Sequence, residues 1–253
     1  MKRFLRFVAL PATIIVIACK MWAAVPEADV LTGQSAEIIN KYLDASKADR
    51  QMWQAGSMEV DIRASVPQLK QQGRLHASRR ISELGRIRYR VLGFQGDKTV
   101  KNQVIARYLE AEQQARSKQD LSVTPVNYKF KFKGERATEG DRQVYVFNVT
   151  PRKKRVGLFK GEMWLDANSF LPVYEKGRLV KNPSIFFKRV QFERAYQIQD
   201  GIAVPEHMSS RIDTRLVGPV ELRVEYSNFT LNGESEKDEC GPDAAPVVAS
   251  TLP

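Results

Sequence analysis

The chain has 253 residues, of which 43% are hydrophobic and 27% charged, ordinary globular material for one large β domain or two small ones. Its two cysteines, Cys19 and Cys240, exclude a disulfide framework and a cysteine-based zinc site, and its two histidines, His76 and His207, exclude a multi-histidine metal centre. The net charge is +11; residues 1–24 carry +4 and residues 233–253 carry −4, so the basic excess belongs to the segment between them and favours acidic partners such as anionic headgroups, acidic proteins or nucleic acid.

Residues 1–6 are short and basic, and residues 7–18 are apolar. That run is too short to span a bilayer and has the length of a secretory signal core, so residues 1–24 read as a signal. Its end is open to two readings. Val16-Ile17-Ala18-Cys19 resembles a bacterial lipobox, which would lipidate Cys19; Ala23-Ala24 offers a small-residue cleavage site instead. Either way the mature chain is exported, which removes chromosomal DNA as its partner.

Residues 35–50 read as a first helix, with Ser35 as cap and Ile38, Ile39, Tyr42 and Leu43 on one face. That stripe is core packing, or the underside of a lid helix. From Met58 to Gly93 the period becomes two. Val60, Ile62 and Ala64 alternate with Asp61, Arg63 and Ser65; Leu75, Ala77, Arg79 and Ile81 with Arg74, His76, Ser78 and Arg80; Ile87, Tyr89 and Val91 with Arg86, Arg88 and Arg90. Three antiparallel strands follow, each with one wet face. The row Arg86, Arg88 and Arg90 is a solvated face or a contact for an anionic headgroup or phosphate.

Residues 97–120 read as a second helix capped by Asp97. Its predicted core stripe is Val100, Val104, Tyr108 and Ala111, with Ile105 and Leu109 beside it, and Glu110, Glu112, Gln113, Gln114, Arg116 and Lys118 fall on its wet side. Strands then continue to Leu231, with Tyr128, Phe130 and Phe132 alternating with Lys129, Lys131 and Lys133. Some ten or eleven strands in all give a mainly β fold. Residues 233–253 are acidic, then rich in Pro and Ala, and read as a disordered tail.

Catalytic signatures are missing. There is no Gly-x-Ser-x-Gly elbow, no Walker loop and no His-Glu-x-x-His, and neither histidine sits near a nucleophile at a diagnostic spacing. The chain is therefore expected to be a non-enzyme without cofactor or metal. Nucleic acid is disfavoured as well. The aromatics and lysines of residues 128–133 alternate, so they point to opposite faces, whereas a stacking groove needs both on one surface.

Two short stretches carry a resemblance. Gly161-Glu162-Met163-Trp164-Leu165-Asp166 followed by Leu171-Pro172-Val173 looks like the Gly-x-x-Trp-aliphatic-Asp…Pro-Val hairpin of the LolA/LolB-like lipoprotein-carrier superfamily and of the outer-membrane lipoprotein-sorting proteins. Asp200-Gly201-Ile202 with Pro205 resembles the later Asp-Gly-Ile-x-x-Pro turn of that group. The resemblance implies a single curved antiparallel half-barrel covered by helices, over residues 35–232, in the periplasm or on the periplasmic face of the outer membrane. It also implies transport: a hydrophobic cavity that binds lipid or the acyl chains of lipoproteins. The apolar strand faces nominate Phe130, Phe132, Phe147, Met163, Leu165, Val190, Phe192, Leu222 and Val224 as the lining, with Arg86, Arg88 and Arg90 as an anionic rim. The alternative is an envelope sensor or scaffold for a protein partner; its apolar face would be filled by its own helices.

Overall fold

A computed structural model describes residues 33–53, 56–82, 86–118, 121–138, 140–183 and 185–231. The expected signal segment, the lipidation candidate Cys19 and the tail from residue 233 lie outside them. The described residues form a ten-stranded antiparallel sheet with two helical segments.

Helix α1 is Gly33–Met52. Ser35 is buried inside it rather than capping it. Strands β1 (Ser57–Val66), β2 (Gln71–Ile81) and β3 (Ile87–Gly96) pair as consecutive antiparallel neighbours, as the alternation predicted. A second helical segment, α2, follows as Lys98–Val100, a π-helical turn Lys101–Ile105, and Ala106–Lys118. Strands β4 (Tyr128–Ala137), β5 (Gln143–Pro151), β6 (Phe159–Asp166), β7 (Pro172–Leu179), β8 (Phe187–Gln199), β9 (Ile202–Thr214) and β10 (Pro219–Thr230) complete the sheet.

The strand order is β3-β2-β1-β10-β9-β8-β7-β6-β5-β4. The first and last strands pair with each other, and the open edges are β3 and β4, the two strands that α2 connects. Residues 97–127 thus connect one free edge to the other in the chain, and α2 lies over β1, β2 and β3. Register shifts between His76 and Ala77, Phe132 and Gly134, and Ala195 and Tyr196 mark bulges, which bend strands and curve the sheet.

Turn chemistry fixes the two quoted hairpins. Asp166 Oδ1 accepts from Asn168 N (3.1 Å), Ser169 N (2.7 Å) and Ser169 Oγ (2.9 Å), which closes the β6–β7 turn. Asp200 and Gly201, at φ 52° and 76°, form a two-residue turn between Gln199 and Ile202 in the left-handed region that such hairpins need. Between β6 and β7 the backbones approach closely: Gly161 faces Gly177, and a Cβ on Gly161 would lie 1.9 Å from the Lys176 carbonyl oxygen.

The core sits on the inner face in two parts. One gathers Val60, Ile62, Leu75, Ala77, Leu222 and Val224 beneath Val100 and Ile105 of α2. The other gathers the aromatic residues of β4–β8 beneath Ile38, Ile39 and Tyr42 of α1. A small patch of Val144, Val146 and Val173, with Trp164 and Ile198 against it, forms a separate cluster that the alternation did not suggest.

Candidate functional site

The inner face divides into two chemically different halves. Under α2 it is polar at its centre. Arg79, inward-facing on β2 and 3% exposed, donates from Nη2 to Glu112 Oε1 at 3.0 Å. Tyr89 of β3 donates its hydroxyl to Glu112 Oε2. Arg79 Nη1 also lies 3.7 Å from Met58 Sδ, and the hydroxyls of Tyr108 on α2 and Tyr226 on β10 are 3.4 Å apart. Burial works to raise the Glu112 carboxyl, but the adjacent Arg79 guanidinium and the hydrogen bonds from Tyr89 and Arg79 outweigh it and hold it below the usual carboxylate range. Burial pushes the Tyr89 and Tyr108 phenols up.

Helix α2 packs through the expected Val100, Val104, Ile105, Tyr108 and Leu109, and departs from the expected phase only at Ala111 and Glu112. Val100 and Ile105 are buried five residues apart, the repeat of a π turn, and the later face runs through Tyr108, Leu109 and Glu112. Glu112, assigned to the wet side, turns inward as a result, and Ala111, assigned to the core, is exposed. Asp97 stands at the N-cap as expected, with its carbonyl accepting from Lys101 N, but its side chain does not cap the helix; Oδ2 accepts instead from the Gln72 N–H at 2.9 Å.

Under α1 the face is apolar and aromatic. Phe130 and Phe147 meet edge to face at 6.2 Å between centroids, Phe132 tilts against Phe147 at 5.1 Å, and Phe159 meets Phe192 edge to face at 5.0 Å. The N-terminal half of α1 lies over them through Ile38, Ile39 and Tyr42. There the Tyr42 hydroxyl donates to the Val123 carbonyl at 2.9 Å, Gln34 reaches Glu135 at 3.5 Å, and Lys41 Nζ lies 5.1 Å from the Phe170 ring centroid. The C-terminal end has its own ties. Asp49 Oδ1 accepts from Ala203 N at 2.9 Å, and buried Trp53 packs on Phe229 at 5.0 Å. At the border of the two halves, on β7 and β8, buried Glu175 accepts from the Tyr196 hydroxyl at 3.1 Å and faces Arg194 at 3.7 Å.

The nominated lining residues are accordingly placed in more than one surface. Phe130, Phe147, Met163, Leu165 and Phe192 share the aromatic cluster, with Phe132 against it. Leu222 and Val224 belong to the cluster under α2. Val190 is buried outside both. Over the aromatic members of this set lies α1, through Ile38, Ile39 and Tyr42. A cavity of about 260 Å³ lies elsewhere, lined by Met58, Gln197, Gln199, Val204, Pro205, Tyr226, Ser227, Asn228 and Phe229, and is too polar to read as an acyl tunnel. Arg86, Arg88 and Arg90 are exposed along β3, on the face opposite Tyr89, rather than on the face that carries the lining. Among the described residues no cluster of His, Cys, Asp or Glu is placed to hold a metal ion.

Arg79, Glu112, Tyr89 and Glu175 escaped the sequence reading as functional residues. Arg79 was legible as an arginine in an apolar row, which is the signature of a buried cation that must find a partner. Its partner, 33 residues away, was not.

Comparison with protein-family models found no match, and comparison with curated protein sequences found none. Among solved structures the chain is similar to a LolA superfamily protein from Nitrosomonas europaea, with a TM-score of 0.36 and 13% identity over 76% of this chain and 93% of that one. It is similar to an outer membrane lipoprotein-sorting protein domain from Vibrio parahaemolyticus, at 0.42 and 11% over 79% and 94%. It is also similar to the complex structure of Pseudomonas aeruginosa MucA/MucB, at 0.28 and 13% over 74% and 93%. Each is a likeness of architecture at low identity.

Proposed function

We propose that the protein is an exported, non-enzymatic binder of acyl chains, on a lipoprotein or a lipid, and that α1 is the element an acyl chain displaces. The observation that supports this is the asymmetry of the inner face. The half under α2 is pinned by a buried ion pair and tyrosine hydrogen bonds, whereas the aromatic half is closed by α1 chiefly through the apolar contacts of Ile38, Ile39 and Tyr42. The energies are comparable. Burying Ile38, Ile39 and Tyr42 is worth about 1.5–3 kcal/mol each, and a dozen acyl methylenes about 10 kcal/mol. Helix and acyl chain are then competing occupants of one surface, and a carrier built this way keeps its apolar face dry when empty.

Native mass spectrometry of protein purified from the envelope, followed by displacement with a fluorescent fatty acyl probe, tests the reading. Bound lipid and saturable probe uptake are expected. Ile39→Ser, which weakens the helix contact, strengthens uptake, and Phe192→Glu abolishes it, because a carboxylate in an apolar site costs several kcal/mol or must take up a proton. A lipid-free wild type with no saturable uptake refutes it.

One observation favours the second reading, a sensor or scaffold for a protein partner in the envelope: the apolar face is already filled by the chain's own helices. Capture of one defined protein by delipidated sample, lost on reversing Arg86, Arg88 and Arg90 to Glu, supports that reading in place of the first.

A further inference from the structure

The outer face of the sheet, at the end where β10 stops, carries a basic patch; the nearest described carboxylate on that face, Glu59, is paired with His76 at 3.5 Å. Arg80 on β2 stands opposite Arg88 on β3, and Ser78 opposite Arg90, so the three arginines share one face. Arg86 continues the row one position beyond the β3 start, where its N–H donates to Ser82 Oγ. Like charges directly opposite each other in a sheet repel. Among the described residues none of these four guanidinium groups makes an ion pair, while arginines nearby on the same face do. Arg74 reaches Asp61 at 2.7 Å, Arg63 reaches Asp61 at 3.0 Å and Glu225 at 3.7 Å, and Arg211 reaches Glu221 at 3.5 Å.

The same end of the sheet releases the C-terminal segment. Thr230 closes β10, and its Oγ1 lies 2.8 Å from Ser57 Oγ. Ser57 is in turn the register partner of both Thr230 and Arg80. With neighbouring strands about 4.8 Å apart, Arg80 is about 10 Å and Arg88 about 14 Å across the sheet from Thr230. After Leu231 come Glu234, Glu236, Asp238 and Glu239, with Lys237 among them. At up to about 3.4 Å per residue, their Cα atoms can reach about 10 to 27 Å from Leu231, which brackets the patch. The other basic row, Lys129, Lys131 and Lys133, is on β4, six strands away in the opposite direction, or about 29 Å, past that reach.

We propose that the acidic segment 234–239 folds back over the ends of β1 and β2 and docks on Arg80, Arg86, Arg88 and Arg90, as a built-in counter-charge that competes with external anions for the patch. The segment tethers the acids beside the arginines, so the contact is intramolecular and its effective concentration is high. It is also sensitive to salt, because both partners are exposed. An anionic membrane or an acidic protein must displace the segment before it engages the arginines.

The test uses the full chain with Cys19→Ser and a nitroxide on Cys240. At about 50 mM salt the backbone amide signals of residues 78–80 and 86–90 lose most of their intensity, while those of Lys131 and Asn148 keep theirs; at about 0.5 M salt, where the screening length is about 4 Å, the signals recover. Changing Glu234, Glu236, Asp238 and Glu239 together to Gln restores them at low salt. The same change tightens binding to phosphatidylglycerol vesicles about tenfold, and that gain vanishes when Arg80, Arg86, Arg88 and Arg90 are also changed to Gln. The proposal is overturned by unbroadened signals at the patch, by equal broadening at Lys131, by broadening that ignores salt, or by vesicle binding that does not depend on the acids.

Discussion

Arg79→Met isolates the ion pair that anchors α2. The substitution keeps most of the side-chain volume and leaves the Glu112 carboxylate in place without the guanidinium at 3.0 Å. Breaking a buried pair by removing one partner costs about 3–5 kcal/mol. Glu112 keeps the Tyr89 hydroxyl, and its side chain is 22% exposed, so the cost lies at the low end of that range. For a domain of this size about 3 kcal/mol lowers Tm by about 6–12 °C. The companion variant Arg79→Met with Glu112→Leu removes both charges and returns to within about 1 kcal/mol of wild type, since a buried pair and an apolar pair of similar volume are close in free energy. Urea unfolding of the wild type, Arg79→Met, Glu112→Leu and the double variant gives the coupling directly as the departure from additivity; with about 3 kcal/mol lost in each single variant and about 1 in the double, it is expected at about 5 kcal/mol. If the single variant unfolds within about 0.5 kcal/mol of wild type, or if the two substitutions simply add, the pair does not hold α2 and the contrast between the two halves of the inner face fails.

Acid unfolding follows from the same pair. The folded pKa of Glu112 lies below its unfolded value, so its stabilisation is complete above about pH 4.3 and is lost as the pH falls through the lower folded value. Thermal melts between about pH 5 and 2 show the fall, and Glu112→Gln flattens it. Gly161→Ala drives a Cβ into the Lys176 carbonyl and forces β6 from β7; a loss of about 3 kcal/mol in chemical denaturation is expected, and an unchanged midpoint counts against the close approach. Asp166→Ala strips three hydrogen bonds from the β6–β7 turn at a cost of about 2 kcal/mol, whereas Asp166→Asn retains the acceptor and loses less.

Much of the fold was legible in the amino-acid order because strand alternation is a local property. Val60, Ile62 and Ala64 point one way and Asp61, Arg63 and Ser65 the other whatever the sheet does next, and the two quoted hairpins rest on contacts within a few residues. The outward arginine row, the inward aromatic row of β4 and the inward Met163 and Leu165 of β6 were legible for the same reason. Three features were decided only in three dimensions. The π turn in α2 inserts one residue into the helical phase, which exchanges the environments of Ala111 and Glu112, and nothing in a 3.6-residue pattern announces it. The partner of Arg79 comes from the helix that follows β3, so the pair exists only once β2 and β3 have paired and α2 has folded back over them. Whether the apolar face would be empty or filled depended on where α1 came to rest. Its stripe of Ile38, Ile39 and Tyr42 fits any apolar surface; only the assembled sheet, with Trp53 and Asp49 pinning the far end of the helix, lays that stripe over Phe130, Phe147 and Phe192. Burial is set by the sum of long-range contacts, and a single strand carries the sign of its faces but not what covers them.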